Sequence, residues 1–157
     1  MAGEAKTLDL TNKIHSILAH SYFSYFIFLI AGVVLDVFFP LRILKDTVVI
    51  SLGFVLLILA SALIFWAQRT TRNLHARENL TKEDFCRGPY CYTRTPTHWG
   101  LFLLTLGFGI VANAFFVVVS TILSFLLSKT VFLKKYEETL EEKYGDSYRQ
   151  YEREVKF

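Results

Sequence analysis

Most of the chemistry this chain can offer sits in two polar stretches. The first closes on Arg87-Gly88-Pro89-Tyr90-Cys91-Tyr92-Thr93-Arg94-Thr95-Pro96-Thr97-His98-Trp99-Gly100, a short run of alternating aromatics punctuated by two prolines. Proline disfavours helix in the residue before it, so Thr95 is expected to be extended or in a turn. Pro96 suits the first turn of a helix, where its missing donor is unpaired anyway. Arg94 is thus held on a stiffened approach to whatever helix follows. The second stretch supplies Glu137 and Glu138, then Tyr144, Tyr148 and Tyr151 at i, i+4 and i+7, a spacing that places three rings on one helical face. An arginine and a carboxylate so placed can meet as a plain ion pair or serve a polar ligand. His98 is equally open, as a capping histidine or as a wall of a site.

The elements that must position these residues are set by hydropathy. A helix needs about 20 apolar residues to cross about 30 Å of hydrocarbon. Residues 18–39 meet that length and end at Pro40, which cannot continue a helix. Residues 47–67 meet it without a charge. Residues 97–132, uncharged until Lys129, are too long for one span and right for two. A hairpin is therefore expected, with spans at 97–112 and 114–132 and its bend at Ala112-Asn113-Ala114, where Asn can bond the backbone groups that a turn frees. No amphipathic stripe supports a soluble reading. The 53% hydrophobic content and mean hydropathy of +0.38 agree. The fold class expected is all-α: one domain over residues 1–157, a polytopic bundle of about four transmembrane helices with an amphipathic tail helix over 133–157, broken at Gly145 and restarted at Asp146, a good N-cap.

Positive charge sets the expected orientation. The loop 68–96 holds Arg69, Arg72, Arg77, Lys82, Arg87 and Arg94, and the tail holds Lys134, Lys135, Lys143, Arg149, Arg153 and Lys156. The first loop has only Arg42 and Lys45, and the bend has none. Both termini and the polar loop should be cytoplasmic. The first apolar run lacks a small-residue cleavage site and reads as a retained span. Topology accounts for the modest net charge of +3, so no nucleic-acid partner is expected. Cys86 and Cys91 fall on the side expected to be reducing and are read as free thiols; no metal-ligand set accompanies them. Asp36 lies a turn from Pro40 and reads as an interfacial acid, Glu141, Glu142, Lys143 and Arg149 as a solvated face, and Gly107 and Gly109 as points of close helix packing.

Two blocks in order, Gly88-Pro89-Tyr90-x-Tyr92-x-Arg94-x-Pro96-x-x-x-Gly100 and, past the hydrophobic hairpin, Glu137-x-x-Leu140-x-x-x-Tyr144-Gly145-x-x-Tyr148-x-x-Tyr151, resemble the isoprenylcysteine carboxyl methyltransferase family and its phospholipid methyltransferase relatives. The resemblance covers residues 87–155. It implies a small membrane enzyme that binds S-adenosylmethionine on the cytoplasmic side and methylates a lipophilic or prenylated acceptor arriving among membrane lipids. By position, Arg94 would orient an anionic group, Glu137 would fix the cofactor or balance Arg94, and Tyr90, Tyr92, Pro96 and His98 would shape the cofactor pocket. A carboxylate acceptor needs no base; an amine acceptor would make Glu137 a candidate base. The chain departs from the family pattern at Thr95, where His or Asn is usual, and at His98, where Tyr is common. It departs again at Lys82-Glu83-Asp84-Phe85, where relatives carry His before an apolar pair, and at Ala114, where Pro often follows the Asn. Two alternatives follow from these departures and from related architectures: a sterol-reductase-like nicotinamide enzyme, and a non-catalytic protein that retains the fold. The acceptor and the oligomeric state are not encoded in these motifs.

Overall fold

Residues 2–41, 47–74 and 85–155 are described by a computed structural model. They form six α-helices and, among the described residues, no strand: α1 (Ala2–Phe38), α2 (Thr47–Leu74), α3 (Pro96–Val111), α4 (Phe115–Leu127), α5 (Lys134–Tyr144) and α6 (Asp146–Glu154). A 3-10 turn over Gly88–Cys91 precedes α3, and a π-helical segment over Ser128–Leu133 joins α4 to α5. Three helical stretches, Leu8–Phe38, Val49–Thr71 and Phe115–Tyr144, are long and apolar enough to cross a membrane; α3 is apolar but shorter, at 16 residues.

The packing follows from where small residues fall. Along α1 the buried positions are Leu10, Ile14, Ser21, Tyr25 and Gly32, and along α2 they are Gly53, Ala60 and Ala67. The first set recurs at four and seven residues and the second at seven, which keeps one seam facing a partner helix. Large apolar side chains, including Phe23, Phe26, Ile27, Phe54, Ile58 and Leu59, point outward. That distribution inverts the soluble pattern and suits a solvent as apolar as leucine, in which helices associate through small and hydroxyl residues. A Cβ on Gly107 would stand 3.0 Å from the Gly53 carbonyl oxygen, so α2 and α3 pack almost backbone to backbone. The bundle consists of two such pairs, α1 with α4 and α2 with α3, linked through the α3–α4 hairpin; α1 and α2, successive in sequence, do not pack along their lengths.

The hairpin turns at Asn113, whose φ of +51° is left-handed, a conformation that Asn tolerates better than most residues. Ala114, at the N-cap of α4, offers no side-chain acceptor. Asp36 of α1 supplies one instead: its carboxylate accepts the backbone N–H groups of Phe116 (3.1 Å) and Val117 (2.9 Å). The expectation of a plain interfacial acid is corrected on this point. Asp36 caps a neighbouring helix, a favourable place for a negative charge.

Two expected boundaries also change. Helix α1 begins at Ala2 rather than near residue 18, and its 37 residues span about 55 Å at 1.5 Å per residue, well beyond one hydrocarbon thickness. Helix α2 runs through Leu74 instead of yielding to loop after residue 67, because Gln68-Arg69-Thr70-Thr71 contains neither Gly nor Pro to stop it. Most of the remaining loop, including Arg77 and Lys82-Glu83-Asp84, lies outside the described residues, as do Arg42, Lys45 and Lys156. The tail is two helices, with Gly145 at φ +56° between them.

Candidate functional site

The 3-10 turn begins at Gly88, whose φ of +56° lets the chain reverse out of Arg87. The reversal brings Cys91 back beside Cys86, with Cα atoms 4.4 Å apart, and the two are joined as a disulfide. The expectation of free thiols is therefore overturned: the turn places the pair within disulfide range.

The turn is pinned from two sides. The Tyr90 hydroxyl shares a 2.8 Å hydrogen bond with Thr71 Oγ1 of α2, and the Tyr90 carbonyl accepts the Tyr151 hydroxyl of α6 at 2.6 Å. Tyr148, Tyr151 and Val155 form a buried cluster with Tyr144 against it, so the aromatic face of the tail packs inward. Its partner is Phe85, whose ring lies 5.1, 5.7 and 5.6 Å from those of Tyr144, Tyr148 and Tyr151. The tail also reaches α1: Lys143 Nζ donates to Thr11 Oγ1 at 2.8 Å. Lys143 thus ties two elements together and is not merely solvated, whereas Arg149 pairs with Glu141 on the exposed face as a surface contact.

Beneath this roof is a cavity of about 480 Å³. The motif lines it with Tyr90, Arg94, Thr95, Pro96, Thr97 and His98, α1 with Ile14, His15, Leu18 and Tyr22, α2 with Gln68 and Thr71, and α5 with Tyr136. Arg94 is at its polar end with only 17% of its side chain exposed; its Nη1 meets Glu137 Oε1 at 3.0 Å and Glu152 Oε1 at 2.7 Å. Nε is buried and makes no hydrogen bond among the described residues. Burial lowers the Arg94 pKa, but Glu137 and the hydrogen bond to Glu152 raise it more, and the guanidinium stays charged. Burial raises the Glu137 pKa above the ordinary carboxyl value; Arg94 opposes that rise and Glu152 adds to it. The Tyr148 hydroxyl beside them is pushed up, first by burial and then by Glu137.

His98 is 3% exposed. Its Nε2 lies 2.9 Å from Ser21 Oγ, which lies 2.7 Å from Ser128 Oγ, and the rings of Tyr22 and Tyr25 flank it at 5.5 and 6.3 Å. Ser128 opens the π-helical segment, a kind of insertion frequent at functional sites.

Of the residues singled out by sequence, Arg94 and Glu137 are in contact, and Tyr90, Arg94, Pro96 and His98 share the cavity wall. Tyr92 is 77% exposed and is not among the cavity residues, and Glu137 touches the site only through Arg94. Sequence reasoning missed Glu152 and the α1 wall. Glu152 stands four residues after Tyr148, on the same helical face, and that spacing was the available signal; nothing in the sequence marked Ile14 or Leu18. No protein-family model matches the chain, and no curated protein or solved structure matches it.

Proposed function

We propose that this chain is a multi-pass membrane methyltransferase that uses S-adenosylmethionine to methylate a lipophilic acceptor, with four spans and with both termini and the site on the cytoplasmic side. The observation that carries the reading is the cavity itself. Its volume of about 480 Å³ falls within the roughly 300–1,000 Å³ of small-molecule sites, and its wall combines aromatic faces with a charged arginine. Residues and cofactor are chemically matched. Tyr22, Tyr90 and Tyr136 offer ring faces to a sulfonium cation, and Arg94 suits a carboxylate. Glu137 and Glu152, paired with Arg94, hold its guanidinium in place at the cavity wall.

The cofactor, when bound, supplies an activated methyl group. The protein's own part is to align it with the acceptor and to exclude water, which together can remove much of the barrier to an in-line displacement. On the tail side, α5 and the pinned turn contribute Tyr136 and Tyr90 to the cavity wall. The unpacked interval between α1 and α2, whose cytoplasmic end is lined by Leu18, Tyr22 and Gln68, leaves a side on which an apolar chain can approach from lipid.

Equilibrium binding of S-adenosylmethionine to the purified protein in nanodiscs tests this. Saturable binding is expected, reduced at least about tenfold in Arg94→Ala and in Glu137→Ala, as loss of a charge-assisted hydrogen bond requires. A folded sample that binds none overturns the reading.

A further inference from the structure

The hydroxyl pair beneath His98 has a proton count that leaves one arrangement. Ser128 Oγ has two hydroxyl neighbours among the described residues, Ser21 Oγ at 2.7 Å and the Tyr25 hydroxyl. The Tyr25 hydroxyl, also buried, has no acceptor but Ser128 among the described residues and directs its proton there. A hydroxyl carries one proton, and a buried donor left unpaired costs about 1–3 kcal/mol. Ser128 therefore donates to Ser21. The Ser21 proton is then directed to its other close neighbour, His98 Nε2, at 2.9 Å. An imidazole that accepts at Nε2 carries its proton on Nδ1. That nitrogen has no hydrogen-bond partner among the described residues, and His98 lines the cavity.

Arg94 presents a matching vacancy in its own bonding. Both glutamates meet Nη1, while Nε is buried without a partner and Nη2 has none among the described residues. Nη2 is therefore the guanidinium nitrogen left to donate a charge-assisted hydrogen bond to a carboxylate.

We infer that Arg94 and His98 together form a carboxylate-binding subsite in the cavity, with Ser21 and Ser128 as positioning residues that fix His98 as an Nδ1–H donor. This rests on the methyltransferase reading for its ligands and deepens it, since the carboxylate is that of the cofactor's amino-acid end or that of the acceptor. In either case His98 donates a hydrogen bond and takes no proton from the acceptor.

The first test is independent of ligand and of activity. Nitrogen NMR of histidine-labelled protein in nanodiscs should show His98 as the Nδ1–H tautomer at neutral pH, shifting to a mixture in Ser21→Ala; an Nε2–H tautomer in the unaltered protein overturns the inference. The second compares two ligand pairs, S-adenosylmethionine with its decarboxylated form and an S-farnesyl thioether carboxylate with its methyl ester. In one pair the carboxylate should bind roughly tenfold or more tightly, in line with a charge-assisted hydrogen bond. That preference should be lost in His98→Phe and kept in His98→Asn, whose amide nitrogen reaches the Nδ1 position. Preference within the cofactor pair assigns the subsite to the cofactor, and preference within the thioether pair assigns it to the acceptor. No preference in either pair overturns the subsite. If S-adenosylmethionine fails to bind at all, the methyltransferase reading falls, while the thioether pair and the tautomer still decide the subsite.

Discussion

Arg94 holds two carboxylates on one nitrogen, and the balance among the three groups sets how the site responds to pH. Burial raises the Glu137 pKa above its ordinary 4.5, and Glu152 raises it further; Arg94 alone lowers it. A carboxyl whose pKa is raised on folding favours the fold when protonated. That contribution is present below 4.5 and is lost as pH rises through the folded value. Arg94→Ala removes the only lowering influence, so Glu137 should titrate higher still and its ionised form should cost more. The variant is expected to be less stable than the parent by about 1–3 kcal/mol near neutral pH, with the gap closing in acid, where Glu137 is protonated in both proteins. Thermal unfolding in detergent across that range checks it, and a gap independent of pH would detach Glu137 from the effect. The Arg94–Glu137 contact was legible in the sequence because both residues abut apolar runs of fixed length. The hydroxyl network behind His98 was not, because Ser21 is separated from His98 by 77 residues and from Ser128 by 107, and serines in an apolar run carry no distinguishing signal.

At the level of elements, helix existence was written in hydropathy, and helix ends were written only where Gly, Pro or Asn enforce them. Pro40, Pro96, Asn113 and Gly145 mark boundaries that the structure shares. Where no such residue stands, as after Ala67, the helix continues until something else stops it. The π-helical segment over Ser128–Leu133 had no counterpart in the reading of the sequence, since its residues are ordinary helix and strand formers and the added turn is set by tertiary packing. The cap on α4 belongs to this scale as well. Ala114 lacks an acceptor and Asp36 lacks a partner within its own helix, two local deficits that resolve each other across the bundle. Asp36→Ala should lower the unfolding free energy by about 1–2 kcal/mol, as loss of a helix cap does. Asp36→Asn should fall between, because one amide oxygen replaces two carboxylate oxygens that each hold an N–H. Equal stability of all three proteins in detergent melts would show that water, not Asp36, satisfies the hairpin.

For the molecule as a whole, the two helix pairs and the roof leave one question on which charge and sulfur chemistry disagree. Lysines and arginines gather in the loop before α3 and in the tail, which argues for the cytoplasmic side. The Cys86–Cys91 disulfide lies at the same end of the bundle, and disulfides persist mainly in oxidising compartments. The charge argument draws on many residues spread over two segments, whereas the disulfide needs only two thiols that a tight turn already holds together, so charge should prevail. With Cys86 and Cys91 both replaced by serine, Ala112→Cys at the hairpin and Gln150→Cys in the tail, both exposed, report opposite ends. In sealed vesicles with the cytoplasmic face inward, an impermeant maleimide should label Ala112→Cys directly and Gln150→Cys only after permeabilisation. The reverse pattern would place the cavity, and with it Arg94 and His98, on the oxidising side. A cytoplasmic methyl donor would not reach it there, so the reversed result would count against the proposed function as well as the topology.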